Sequence, residues 1–429
     1  MGNDKVRELR EALYQAAKAN TERRFHALYD KVGRTDVLAE AWAQVRANAG
    51  AAGVDGKTIE DIEREGVPSL LEGLARELRQ RTYRPSPLLR VEIPKPNGNV
   101  RRLGIPTVRD RVVQTAAKLV LEPIFEADFE PFSYGFRPGK SAHDAVNEVT
   151  HCLNRGCEQV LDVDIQGCFD SIPREPLVDA VARRVVDGAM LRLIRQWLDC
   201  GVMEGDTLQR PERGTPQGAP LSPLLANVYL DRLDKAWKGA GFEKWHGMDA
   251  RLVRYADDLA ILCRWGVEKV RPWLDATMAE LGLTLSAEKT RMVVAEDGFD
   301  FLGFHFRRRY DPRRGKRVTR WYPSAKSEGH IWERVRELTE TRTLATGTPF
   351  TARDALVKVL RGWAEYAQRS MAWETFEGVW WYATRRLNAL YRRAGNRPGL
   401  ARNRDLVRVG LGLPRWPTPI PYGAWRTTA

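Results

Sequence analysis

Two carboxylates stand side by side in Arg254-Tyr255-Ala256-Asp257-Asp258-Leu259, with Leu252 and Val253 before them and the apolar run Leu259 to Cys263 after. Apolar runs joined by two residues predict a tight β-hairpin, here with Asp257 and Asp258 as the joining pair. Tight hairpin turns prefer Asn-Gly or Asp-Gly, which tolerate positive φ, and adjacent aspartates repel each other. A local rule broken at the tip of an apolar hairpin is where function is expected. Two carboxylates on a rigid strand edge suit a hard divalent cation. Mg²⁺ is usually held by one or two carboxylates, with substrate phosphates completing its shell. An isolated Asp-Asp is most often only a solvated acidic turn, so the decision rests on a third carboxylate. Val160-Leu161-Asp162-Val163-Asp164-Ile165 supplies it: a second strand-like segment, with Asp164 on the pleat face opposite Val163 and Ile165. Asp162 is the competing candidate on that strand.

Three blocks follow in order: Asp164 with Phe169-Asp170, then Thr215-Pro216-Gln217-Gly218-Ala219-Pro220-Leu221-Ser222-Pro223, then Tyr255-Ala256-Asp257-Asp258. Together they resemble the reverse transcriptases, and more narrowly the group II intron-encoded class, the intron maturases, in its compact form without an endonuclease domain. The resemblance extends over nearly the whole chain. It implies an α+β right-hand polymerase: fingers and palm with an antiparallel sheet plus helices, a helical N-terminal extension and an α-helical thumb. The implied activity is RNA-directed DNA synthesis by two-metal phosphoryl transfer, with help to intron splicing. Asp164 and Asp257 would hold two Mg²⁺ ions, the Ile165 carbonyl would complete a shell, and Asp258 would assist. The family pattern places the ligand immediately before Ile165, which favours Asp164 over Asp162. The implied partners are intron RNA as template, a DNA primer or target, and deoxynucleoside triphosphates.

Other elements must position those groups. Tyr83 to Ile105 reads as two apolar runs around Pro96-Asn97-Gly98-Asn99, a hairpin signal. By resemblance these are the fingers, with Lys95 and Arg101 clamping the triphosphate and Arg102 as the alternative; a cationic clamp stabilises charge on a transferring phosphoryl group. Thr107-Val108-Arg109-Asp110 opens a helix with a capping pattern that Pro123 is expected to follow. Phe132 to Ser141 interleaves aromatics with Arg137 and Lys140, a composition suited to stacking on a strand and neutralising it, or to a core from which only the cations reach nucleic acid. Residues 174 to 200 read as helical. Gln217, in a glycine-containing loop before a helix from Pro220 to about Trp237, has amide groups suited to the templating base pair. A helix from Trp273 to Leu281 is stopped by Gly282. By resemblance, Phe169 sits beneath the incoming sugar and excludes a 2′-hydroxyl, and Lys289 protonates or neutralises the leaving pyrophosphate. Phe301-Leu302-Gly303-Phe304 resembles the primer grip.

The ends of the chain read differently. Residues 4 to 48 show helical spacing and carry Arg23, Arg24 and Lys31 between helices. Asn48 to Gly56 is a turn-rich loop that resembles the template-covering loop of non-retroviral reverse transcriptases. Residues 307 to 320 carry eight arginines and lysines, Arg313, Arg314 and Arg317 among them, against Asp311 alone. That density predicts a flexible β-turn segment contacting phosphates. Helices at about 328–343, 351–370 and 374–393 resemble the maturase thumb, with Arg385 and Arg386 as exposed cations facing nucleic acid. The expected division is 1–80 extension, 81–305 fingers and palm, 306–395 connector and thumb, and 396–429 a short basic tail.

Composition agrees with a nucleic-acid enzyme. The 429 residues hold 69 Lys and Arg against 56 Asp and Glu, a net charge of +13 that suits a polyanion. Five cysteines form no Cys-x-x-Cys pair, which predicts reduced thiols in a cytoplasmic protein rather than a disulfide frame or zinc site. No signal peptide or membrane-length apolar run is present. The rival readings are a splicing cofactor without polymerisation, a host-adopted reverse transcriptase in phage defence, spacer acquisition or repair, and an RNA-dependent RNA polymerase.

Overall fold

The computed structural model describes residues 2–94, 100–340, 348–371 and 373–394. It divides into two compact units, Met1–Cys152 with Gln159–Met292, and Leu153–Glu158 with Val293–Ala429.

The first unit is built around the helix Val108–Glu126, buried over nearly its whole circumference, the signature of a helix enclosed by others. Thr107 caps it by accepting from the Asp110 amide. Pro123 lies inside this helix, not beyond its end as expected. The missing N–H and the ring clash are tolerated there because Pro123 is buried among core neighbours that fix the backbone. Helices Gly2–Ala19 and Thr35–Ala47 pack on it, so the N-terminal segment shares this unit's core rather than standing apart. The stretch 174–200 forms two helices, Arg174–Ala182 and Gly188–Asp199. The break is Asp187, whose side chain caps the second helix and also accepts from the Leu28 and Tyr29 amides.

Two sheets position the site. Strands β1 (Leu88–Pro94) and β2 (Val100–Ile105) pair antiparallel with Leu89 opposite Ile105, as the hairpin signal predicts. The palm strand β3 (Gln159–Asp164) follows in the chain. Strands β4 (Val202–Glu204) and β5 (Thr207–Gln209) then extend the first sheet in the order β2-β1-β4-β5. The second sheet has the order β6-β7-β3-β8, where β6 is Arg251–Tyr255, β7 is Asp258–Cys263 and β8 is Arg291–Val294. Its central strands are apolar and buried. The helix after the hairpin runs Val267–Glu280, beginning earlier than expected and passing through Pro272, with Gly282 just beyond its end at φ +63°.

The second unit holds β9 (Phe299–Phe301), β10 (Phe304–Asp311) and β11 (Lys316–Pro323), in the order β11-β10-β9. The basic run is therefore a regular hairpin, with Arg307 opposite Arg320, and not a loose loop. Alternation accounts for the first strand: Phe304 and Phe306 share its buried face, while Arg307 and Arg309 take the opposite one. Helices Ala325–Leu338, Pro349–Ala367 and Trp373–Arg393 pack through Val335, Leu356, Leu360, Val379 and Leu387. Among the described residues no helix is long and apolar enough to cross a membrane. The tail from 396 lies outside the described residues.

Candidate active site

The palm strands set the carboxylates by register. Pairing of β3 with β7 puts Asp164 directly opposite Asp258, and Asp162 opposite Ala260. Pairing of β6 with β7 puts Tyr255 opposite Asp258. The two-residue turn is thus Ala256-Asp257, and Asp258 already belongs to β7, a correction of the expected Asp257-Asp258 turn. Ala256 takes the positive φ, +56°. A non-glycine residue in that region is strained and persists only where its surroundings hold it.

Those surroundings are a buried polar network that sequence reasoning missed. Arg254 is wholly buried. Its Nε donates to Asp234 Oδ1 at 2.8 Å and its Nη2 to Asp234 Oδ2. Its Nη1 donates to Asn227 Oδ1 and to the Ala256 carbonyl, both at 3.0 Å. Asn227 Nδ2 donates in turn to the Gly135 carbonyl at 2.7 Å. A Cβ on Gly135 would lie 2.3 Å from the Ala256 nitrogen, so only glycine fits beside the turn. A fork of donors satisfied on every side is how a buried guanidinium fixes geometry. The available signal was an arginine inside an otherwise apolar strand.

Electrostatics at the tip favour a cation. Burial, reinforced by the charge of Asp164, holds the Asp257 carboxyl above its ordinary range, although Arg101 and Arg254 pull it down. Lys289 Nζ lies 3.1 Å from both oxygens of Asp164, so that carboxylate already holds a positive partner. Asp162 lies opposite Ala260, away from the turn, and faces Arg291 on β8, 3.5 Å away. The Ile165 side chain is core, and the backbone beside it is pinned by Ser286 N to Asp164 O at 2.8 Å and Gln166 N to Thr284 O at 2.9 Å. The carboxylates of Asp164 and Asp258, adjacent across the strand pair with Asp257 on the adjoining turn, are hard oxygen donors of the type a divalent cation takes. Among the described residues no three His, Cys, Asp or Glu side chains form a closed metal cage.

The nucleotide-binding candidates come together in part. Arg101 Nε donates to Gln217 Oε1 at 3.3 Å, and the Gly104 amide donates to the Gln217 carbonyl at 2.7 Å, which joins the fingers strand to the loop before the palm helix. Phe169 is half-buried against the core, and its carbonyl accepts from the Thr215 amide at 2.7 Å. A Cβ on Gly214 would meet Asp170 and Phe169 backbone atoms at 2.9 Å, so the loop docks closely there. Lys95 lies outside the described residues. Arg102 pairs with Glu92.

The nucleic-acid candidates separate. Arg23 and Arg24 are exposed, and Lys31 is half-buried near Asp30 at 3.4 Å. Arg137 is buried, clamped to Glu126 and donating to the Glu130 and Ser133 carbonyls. It organises the 130–137 loop and does not present a cation to solvent, a correction forced by the desolvation that only such pairing offsets. Arg317 is held by Glu158 and Glu296, while Arg313 and Arg314 are exposed at the hairpin turn. Arg385 is exposed over the Trp381 ring. Arg386 is half-buried and donates to Thr339 Oγ1 at 3.1 Å and the Arg336 carbonyl at 3.2 Å, closing the C-terminus of the helix Ala325–Leu338 instead of standing free.

Residues 93–306 match the family described as reverse transcriptase (RNA-dependent DNA polymerase). Protein YkfC of Escherichia coli K12 is 31% identical over 75% of this chain and 93% of its own length. The group II intron-encoded protein LtrA of Lactococcus lactis subsp. cremoris is 35% identical over 52% of this chain and 37% of its own. The chain therefore spans little more than a third of LtrA. A chain of the solved partial Cas6-RT-Cas1–Cas2 complex aligns with 62% of this chain and 43% of its own, at 24% identity and a TM-score of 0.35.

Proposed function

The chain belongs to the reverse transcriptase family, in the branch of group II intron-encoded enzymes and maturases, and from that premise we propose that Asp164 and Asp257 are its catalytic metal ligands. The enzyme is an RNA-directed DNA polymerase. The observation that supports the assignment is the strand register, which sets Asp164 against Asp258 with Asp257 on the adjoining turn. Reverse transcriptases use divalent metals; here two Mg²⁺ ions, when bound, supply Lewis-acid activation of the primer 3′ oxygen and neutralise charge at the triphosphate.

The rest of the chemistry falls to the chain. Asp258 keeps the strand edge negative beside Asp164. Arg101, with Lys95, holds the triphosphate, and Gln217 sets the base pair through the same contact that joins it to Arg101. Phe169 excludes the 2′-hydroxyl of a ribonucleotide. Lys289 neutralises Asp164 until substrate arrives, then the departing pyrophosphate. The template is intron RNA, the primer is DNA, and the substrates are deoxynucleoside triphosphates in the cytoplasm. Asp257→Asn should reduce primer extension on RNA by more than ~100-fold and leave RNA affinity near normal. Near-normal extension with Mg²⁺ would overturn the metal assignment.

A maturase role rests on a separate surface. Arg23 and Arg24 are exposed cations on the N-terminal segment, outside every catalytic block, and folded RNA is read mainly through shape, phosphates and 2′-hydroxyls. Preferential binding of the folded intron stabilises it by linkage, with no protein catalytic group needed. Asp257→Asn should still promote splicing of the cognate intron at low Mg²⁺, whereas Arg23→Gln with Arg24→Gln should impair splicing more than extension. Equal loss of both reactions in the second variant would remove this role.

A further inference from the structure

Behind the Gln217 loop lies a cavity of about 320 Å³, walled by the fingers strands, the Gly188–Asp199 helix and the loop leading to Gln217. Arg90, Arg102, Arg174 and Arg213 line it, against one carboxylate, Asp170. Cations gathered in one concavity repel, and a desolvated guanidinium needs acceptors. Three of the four are tethered by one arm to groups that do not line the cavity: Arg102 to Glu92 at 3.2 Å, Arg174 to Asp199 at 3.0 Å and Arg213 to the Gly282 carbonyl at 3.0 Å. The Nε atoms of Arg90 and Arg174 are buried without a hydrogen-bond partner. Among the described residues, no carboxylate pairs with Arg90 or Arg213. Leaving such donors unmet is costly, and neither Arg90 nor Arg174 belongs to the catalytic constellation.

We propose that this cavity binds a diphosphate or triphosphate group at a site distinct from the nucleotide site, with Gln217 as their common wall. Guanidinium forks match phosphate oxygens in bidentate fashion, and phosphate supplies acceptors for several forks at once. The volume lies at the small end of ligand sites, roughly 300–1,000 Å³, which suits a polyphosphate with its waters. The anion has two sources of the same chemistry: pyrophosphate released by extension, or the triphosphate tail of a waiting nucleotide. The proposal rests on the polymerase reading only for that source, so its test uses no polymerisation.

The full chain is dialysed to equilibrium against labelled pyrophosphate in EDTA without nucleic acid, so that no metal can hold the ligand at the aspartates. Saturable binding at one site is expected. Arg90→Gln with Arg174→Gln should weaken it by ~10-fold or more, whereas Arg101→Gln should leave it unchanged. Competition by dATP as strong as that by tripolyphosphate assigns the site to incoming nucleotide; competition by inorganic polyphosphates alone assigns it to product. Absence of saturable binding overturns the proposal, as does loss in Arg101→Gln with retention in the double variant. If the double variant loses affinity for a single-stranded RNA oligonucleotide but not for pyrophosphate, the cavity is a nucleic-acid contact and the proposal fails. A second measurement needs no variant: pyrophosphate should slow phenylglyoxal modification of Arg90 and Arg174 but not of Arg385, and equal rates with and without the anion refute it.

Discussion

The hairpin β6–β7 and the hairpin β10–β11 are both antiparallel and both carry charge, but they manage it in opposite ways. In the first, one arginine is wholly buried and locked to Asp234, Asn227 and the turn carbonyl, and the carboxylates gather at the tip. In the second, the cations stand at half-buried and exposed positions and several are answered by local acids, Arg317 by Glu158 and Glu296, and Arg320 by Asp311. The depth of the charge decides its use. A desolvated ion pair is expensive to break and holds a backbone in one place. A solvated pair contributes little and exchanges readily for phosphate. The first hairpin thereby holds its tip in one geometry, and the second keeps its charge near solvent.

The largest effect that would test this contrast comes from Arg254. Arg254→Met strands the buried Asp234 carboxylate and should cost about 3–5 kcal/mol in denaturant unfolding. Extension should fall on the order of 10²-fold, the usual consequence of a small misplacement at a reacting centre. Adding Asp234→Leu should restore most of the stability but not the activity, because the hydrogen bond to the Ala256 carbonyl stays lost. Recovery of both would make Arg254 a packing residue only. Within the same site, Phe169→Ala should raise ribonucleotide over deoxynucleotide incorporation by roughly 10-fold or more, as pocket shape typically allows. Unchanged sugar selectivity would return Phe169 to the core it partly packs against.

A smaller effect follows from the raised Asp257 carboxyl. The fold disfavours its ionisation, so its contribution to stability is whole below the ordinary carboxylate range and is lost as pH rises through the raised value. Asp257→Asn should therefore raise the Tm of the metal-free protein at neutral pH. The gain should vanish toward acid and shrink when Mg²⁺ is added to both proteins. A constant difference across pH would detach it from this titration. The smallest effect belongs to the second hairpin. Arg317→Gln should change stability by no more than ~1 kcal/mol. Neutralising Arg313 and Arg314 together should flatten the loss of RNA affinity between about 50 and about 200 mM salt. An unaltered slope would place the main phosphate contacts elsewhere.

The chain alone determined which residues could do the chemistry and which local elements carry them. Asp164, Asp257 and Asp258 stand out because each interrupts an apolar run, and the fingers hairpin and the thumb helices follow from periods of two and 3.6 residues. These are short-range properties, encoded within about ten neighbours. Register, burial and partners are not. Only the folded protein sets Asp164 against Asp258, moves the turn onto Ala256, and buries Arg137 on Glu126. Only the fold brings Lys289 to Asp164 across 125 positions of sequence. An arginine reads alike in sequence whether it meets water, a carboxylate or a phosphate. Arg254, Arg137 and Arg313 differ through desolvation, and desolvation is decided by what the rest of the chain packs around each one.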